Sequence, residues 1–267
     1  MKGVMAAITA AAVLIVNSAQ AADMAVKTTP AHLSPQVPIY NWTGCYAGAG
    51  FGYGMADINH STTDASGLTF DGGHDNSAKG WLGLLGTGCD LQIYNRWVVG
   101  ITGDIEFSNI KGQYSFNCPN PCVRPSGYNG EIKGPWAWGV GGRAGYLVGP
   151  SLLTYWTGGF TQARFDQVNY SDAQTGAHTG LVLPAQTYDG WYLGGGIEFE
   201  LGGFVPGLYW RTEYRFSDYQ TRNVSQPCAG GLCGLSGTLH SIDRVHPQEQ
   251  SIWSAVVYRF NWTGSRY

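Results

Sequence analysis

Between Trp97 and Ser108 the side chains change character at every step: Trp97, Val99, Ile101, Ile105 and Phe107 fall on one side of an extended chain, and Thr102, Asp104, Glu106 and Ser108 on the other. Successive Cβ atoms leave a strand in opposite directions, so a period of two marks a β-strand with one apolar and one polar surface. The pattern recurs along the chain. Residues 45–55 set Cys45, Ala47, Ala49, Phe51, Tyr53 and Met55 against Gly48, Gly50, Gly52 and Gly54, and residues 81–93 set Trp81, Leu85, Cys89, Leu91 and Ile93 against Gly86, Gly88, Asp90 and Gln92. Residues 136–148 set Trp136, Trp138, Val140, Ala144 and Tyr146 against Gly139, Gly141, Arg143 and Gly145. Residues 188–201 set Trp191, Leu193, Ile197, Phe199 and Leu201 against Gly194, Gly196, Glu198 and Glu200. Further on, Leu208, Trp210, Thr212, Tyr214 and Phe216 alternate with Tyr209, Arg211, Glu213 and Arg215, and over 251–262 Ile252, Val256, Tyr258, Phe260 and Trp262 stand opposite Arg259 and Asn261.

One more segment, 152–165, is irregular: Trp156 and Phe160 share a side with Gln162 and Arg164, which implies either two rings held inside or a bulge at Gly158-Gly159 that changes the register. With it the strands number eight. Short turns at 94–96, 149–151 and 202–207 alternate with connections of about twenty residues or more at 57–79, 109–132, 166–187 and 217–250.

Charged residues make up only 12% of the chain, against about 25% in soluble proteins, while aromatics reach 13% and glycines number 40. So little charge is poor cover for a water-facing surface. No segment approaches the run of about 18 apolar residues that a membrane helix needs. A transmembrane β-barrel reconciles both facts, because only alternate residues face lipid. Trp97, Tyr146, Trp210, Phe260 and Trp262 fall at one end of the strands, and Trp81, Phe107, Trp136, Trp138, Trp191, Tyr214 and Phe216 toward the other, as two interfacial girdles. The fold expected is therefore all-β: an eight-stranded antiparallel up-and-down transmembrane β-barrel with short periplasmic turns and four long extracellular loops.

The first 21 residues read as a signal peptide: Lys2, an apolar stretch from Ala6 to Val16, then Ala19-Gln20-Ala21. Residues 22–43, with Pro30, Pro35 and Pro38, read as a periplasmic linker, and 44–267 as the barrel domain in the outer membrane of a bacterial cell. A net charge of −3 and the lack of any basic run argue against a nucleic-acid partner.

The inward faces carry Asp90, Asp104, Glu106, Glu198, Glu200 and Glu213 against Arg143, Arg164, Arg211, Arg215 and Arg259. An eight-stranded barrel is just wide enough to be filled by side chains, so such near-balanced charge is expected to form ion pairs that plug the lumen. Gated passage of water or small ions is the functional alternative. The carboxylate pairs Asp104/Glu106 and Glu198/Glu200 share faces as acid–base pairs do, yet no nucleophile or metal motif stands beside them; Asp64, Asp71, His60 and His74 supply suitable types near the outer rim without a motif. The histidines, His32, His60, His74, His178, His240 and His246, lie outside the strands without ligand spacing, so no cofactor or metal is expected. The six cysteines pair by position as Cys118 with Cys122, Cys228 with Cys233, and Cys45 with Cys89, and an exported chain favours disulfides. Cys45 and Cys89 read equally well as small lipid-facing residues.

The chain resembles the porin-family surface antigens of alphaproteobacteria, small outer-membrane β-barrels related to the transmembrane domain of OmpA and to opacity proteins. The resemblance rests on Tyr40-Asn41-Trp42-Thr43-Gly44, the glycine-rich strand through Gly54, Gly141-Gly142-Arg143-Ala144-Gly145-Tyr146, Gly194 to Glu198, Glu213-Tyr214-Arg215-Phe216, and Tyr258-Arg259-Phe260-Asn261-Trp262. It implies insertion by the outer-membrane assembly machinery, with Tyr258, Phe260 and Trp262 as assembly-signal aromatics. Five residues follow Trp262, so either it or Tyr267 serves as the terminal aromatic. The expected role is structural and surface-exposed, in a monomer surrounded by outer-membrane lipid and lipopolysaccharide. Two other readings stand beside it: a low-conductance porin, and a haem-binding or adhesive protein acting through its loops.

Overall fold

The computed structural model describes residues 41–64, 66–94, 96–116, 127–201, 205–231, 233 and 237–260. The expected signal peptide, the linker before Asn41, Cys118, Cys122, His32 and Trp262 lie outside them.

Eleven strands follow in chain order: β1 (Gly44–Asp64), β2 (Thr69–Ile93), β3 (Trp97–Phe116), β4 (Tyr128–Gly149), β5 (Leu152–Phe165), β6 (Val168–Asp172), β7 (His178–Leu183), β8 (Gln186–Glu200), β9 (Leu208–Tyr219), β10 (Arg222–Pro227) and β11 (Leu239–Phe260). Eight of them close a ring, β1-β2-β3-β4-β5-β8-β9-β11, with β11 pairing back to β1 and every pairing antiparallel. Closure follows from the solvent: lipid offers backbone groups no hydrogen bonds, so a sheet that crosses it can leave no open edge. The lipid-facing positions carry exposed apolar side chains, among them Phe51, Trp81, Ile101, Phe107, Val140, Trp156, Leu193 and Ile252. Inward glycines make room for rings: a Cβ on Gly88 would collide with the Tyr46 hydroxyl, and one on Gly141 with that of Tyr192.

The ring continues well past the membrane. β1 runs 21 residues, roughly 70 Å of chain, and at a tilt near 40° it rises roughly 50 Å, about twice the apolar band of such barrels. Beyond Met55 its outward face turns polar at Asp57, Asn59 and Ser61, while Ala56, Ile58, His60 and Thr62 stay buried inside. β2, β3, β4 and β11 extend in the same way, so most of the segments expected as loops are strands of an extracellular crown. The β6–β7 hairpin hangs from β4, and β10 pairs with β11. Two buried clusters fill the ring: Trp42, Tyr46, Leu82, Leu84, Leu153, Tyr155, Tyr209 and Trp253 in the periplasmic half, and Ile58, Ile110, Tyr114, Phe165, Tyr170, Leu181 and Val245 in the crown.

β5 resolves neither way that its sequence suggested. Its pairing with β4 and β8 runs unshifted through Gly158 and Gly159. Trp156 and Phe160 are exposed to lipid, and Gln162 and Arg164 share that outward face at the outer rim. Leu153, Tyr155, Thr157, Thr161, Ala163 and Phe165 point inward.

Candidate functional site

The lumen holds its charged side chains in layers. In the periplasmic half, five strands each contribute one charged residue: Asp90 from β2, Arg143 from β4, Glu198 from β8, Arg211 from β9 and Arg259 from β11. Glu198, with no exposed surface, lies 3.0 Å from Arg143 and 2.7 Å from both Arg211 and Arg259. Arg143 also pairs with Asp90, and Arg259 reaches Asp90 at 2.8 Å. The guanidiniums stack on rings, Arg143 and Arg211 over Tyr46 at 4.6 and 4.3 Å and Arg259 over Trp42 at 4.5 Å. Planar cations sandwiched between rings and carboxylates form a cross-brace, worth most where water is excluded.

Further out, Arg215 takes Asp104 with both terminal nitrogens at 2.8 Å, Glu213 at 3.0 Å and Glu106 at 3.5 Å, over the Tyr192 ring. Glu213 also accepts a hydrogen bond from the Tyr155 hydroxyl at 2.8 Å. Glu249, buried and joined to the Tyr219 hydroxyl, completes this layer of four carboxylates around one guanidinium. Cavities on this axis measure about 10, 20 and 10 Å³, each the size of a single water.

In the crown, Asp243 is a fully buried hub. It accepts from Tyr114 at 2.7 Å, Thr62 at 3.2 Å and Gln226 at 3.3 Å, and meets His60 Nδ1 at 3.2 Å. Asn76 donates to His60 Nε2 at 2.7 Å, which leaves Nδ1 to donate to Asp243, and the imidazole stacks on Tyr114. Burial, with the Asp243 carboxylate alongside, pushes the Tyr114 hydroxyl well above the ordinary tyrosine value, which keeps it a donor.

Of the eleven charged residues expected in the lumen, nine meet in the two inner layers. Arg164 does not: its side chain is 41% exposed and lies 3.7 Å from Asp166 on the outer rim. Glu200, at the periplasmic end of β8, joins neither layer. Sequence reasoning missed Glu249 and Asp243, because Pro247 interrupts the alternation that carries them. In the structure Pro247 sits between the end of the β9 pairing at Gln248 and the start of the β10 pairing at Val245, where a missing N–H is tolerated.

Disulfides join Cys45 to Cys89 across β1 and β2, and Cys228 to Cys233 in the crown. His178 is exposed, His246 pairs with Asp218 at 3.2 Å, and His240 is half-buried, its ring held below the ordinary histidine value by desolvation. Among the described residues no three His, Cys, Asp or Glu side chains converge in a metal-holding group.

Residues 9–232 match the model of the outer membrane protein β-barrel domain. The chain belongs to this outer-membrane β-barrel family. The 31 kDa outer-membrane immunogenic proteins of Brucella melitensis and Brucella suis are each 30% identical to it over 230 residues, covering 84% of this chain and 90% of theirs. OprG from Pseudomonas aeruginosa shares the barrel fold at a TM-score of 0.55 and 12% identity, over 82% of this chain and 98% of OprG. The protein is thus an outer-membrane barrel similar to surface antigens.

Proposed function

We propose that the protein is a closed structural barrel that carries its β-rich crown on the cell surface and neither conducts solutes nor catalyses a reaction. The observation behind this is the five-residue cross-brace: Asp90, Arg143, Glu198, Arg211 and Arg259 are all buried and tie together five of the eight strands of the ring. The His60–Asp243 pair has the residue types of a catalytic dyad, but both side chains have no exposed surface for a substrate to reach. Because the ring closes on itself, the barrel wall leaves no edge for strand addition, which supports a monomer inserted by the outer-membrane assembly machinery. Tyr258 and Phe260, outward on the last strand, are the described aromatics suited to an assembly signal. Two relatives are named immunogenic, and in this chain the crown is the part that recognition from outside the cell would meet. Refolded full-length mature protein is expected to be silent in planar bilayers while an unboiled gel shows it folded; stable openings of the folded wild type would overturn the closed-barrel reading.

A further inference from the structure

The lysines of the described chain are three, Lys79, Lys111 and Lys133, and the register places them side by side: Lys79 opposite Lys111 across β2 and β3, and Lys111 opposite Lys133 across β3 and β4. All three are exposed on the outward face. Lys133 owes its direction to a register shift at Pro135: below it Trp136 and Trp138 face out, and above it Lys133 and Glu131 do. Arg164, opposite Trp136 on β5, continues the row onto a fourth strand. Like charges directly opposed across strands destabilise a sheet, so such a row is costly without a counter-charge.

The protein supplies only part of that counter-charge. Asp166 stands 3.7 Å from Arg164, and Glu131 pairs with Lys133 at 2.8 Å, which leaves the three central lysines against one carboxylate, a net two cations. Across the ring from the row stand Asp218 on β9 and Gln248 and Gln250 on β11, while Asp57 on β1 and Asp189 on β8, the latter paired with Arg222 at 3.0 Å, flank its two ends. The row lies immediately outside the girdle of Trp81, Phe107 and Trp136, at the level where lipid headgroups meet water.

We propose that Lys79, Lys111, Lys133 and Arg164 form a binding surface for the phosphates of a phosphorylated outer-leaflet lipid, the lipid A portion of lipopolysaccharide, with its acyl chains against Trp81, Phe107 and Trp136 below. The occupant follows from charge and height: a soluble anion has no use for the apolar wall, and a zwitterionic lipid brings no net charge. The proposal depends on the membrane placement of the barrel but not on its being closed.

The test uses full-length mature protein folded in zwitterionic detergent, titrated with bisphosphorylated lipid A, with enzymatically dephosphorylated lipid A, and with water-soluble glucosamine bisphosphate, and read by native mass spectrometry. A preference of roughly thirtyfold for the phosphorylated over the dephosphorylated lipid is expected, for a net two cations acting near a headgroup. It should vanish in K79Q/K111Q/K133Q and weaken in R164Q, while D218N on β9, across the ring, keeps it. The unboiled gel shift should be unchanged in each variant, since these side chains are solvent-exposed. An undiminished preference in the triple variant would overturn the proposal. So would equal binding of the soluble bisphosphate, which would make the row a general anion site. Bilayer currents would leave this outcome untouched, so failure of the closed-barrel reading and failure of the lipid site are separately visible.

Discussion

Substituting Glu198→Gln removes the charge that three guanidiniums share. In the wild type, Asp90 and Glu198 face Arg143, Arg211 and Arg259, a local charge of +1; the substitution raises it to +2 in a place without solvent. Removing one partner from a buried ion pair costs about 3–5 kcal/mol, and the isosteric amide creates no cavity that would add to it. With a urea m-value of about 3 kcal/mol/M, the unfolding midpoint should fall by about 1–1.7 M. The folded fraction is read from the unboiled gel band across a urea series in detergent. Adding Arg211→Met to the same chain returns the charge to +1 and should recover roughly half of the lost midpoint, since neighbouring charges in one network are not additive. A midpoint within about 0.3 M of wild type, or a further fall on adding Arg211→Met, would refute the cross-brace as a stabilising element.

Other outcomes follow from the same layers. Arg215→Met strands four carboxylates and should cost at least about 3 kcal/mol, whereas Glu249→Gln relieves part of their mutual repulsion and should be neutral or stabilising by up to about 1 kcal/mol, as urea midpoints will show. Asp243→Ala leaves the donors of Tyr114, Thr62, Gln226 and His60 facing an empty hub; the crown should become sensitive to added protease while the gel shift of the membrane part persists. Alkylation without reductant should leave Cys45, Cys89, Cys228 and Cys233 unmodified. Removing the Cys45–Cys89 bridge, which closes a separation of 44 residues, should cost about 4 kcal/mol, against about 2 kcal/mol for Cys228–Cys233 with its separation of 5.

How far each region could be read from its residues depended on what lay outside it. Where lipid surrounds the strand, every second side chain must be apolar whatever its neighbours are, and Trp97 to Phe107 announces a strand unaided. In the crown the outward positions meet water, so Asp57, Asn59 and Ser61 look like a loop although Ala56, Ile58 and His60 pack inside them. The same transition explains β5: Gln162 and Arg164 follow Trp156 and Phe160 on one face because the strand leaves the membrane between them, not because the chain bulges. Pro135 and Pro247 hid two further continuations, each accommodated at a register shift or between two pairings.

By itself the sequence determined the eight strands of the ring, the lipid-facing side of all of them but β5 and the inward direction of the nine charges that meet in the two layers, since these depend only on local periodicity and on the cost of polar groups in lipid. Which charges meet was decided by the closed ring. Asp90, Arg143, Glu198, Arg211 and Arg259 lie on five strands, and no spacing along the chain says that they converge; ring closure and register set their common height. The same register drew three distant lysines into one row, and placed Glu249 and Asp243 at the centre of layers that their own neighbours in sequence gave no reason to expect.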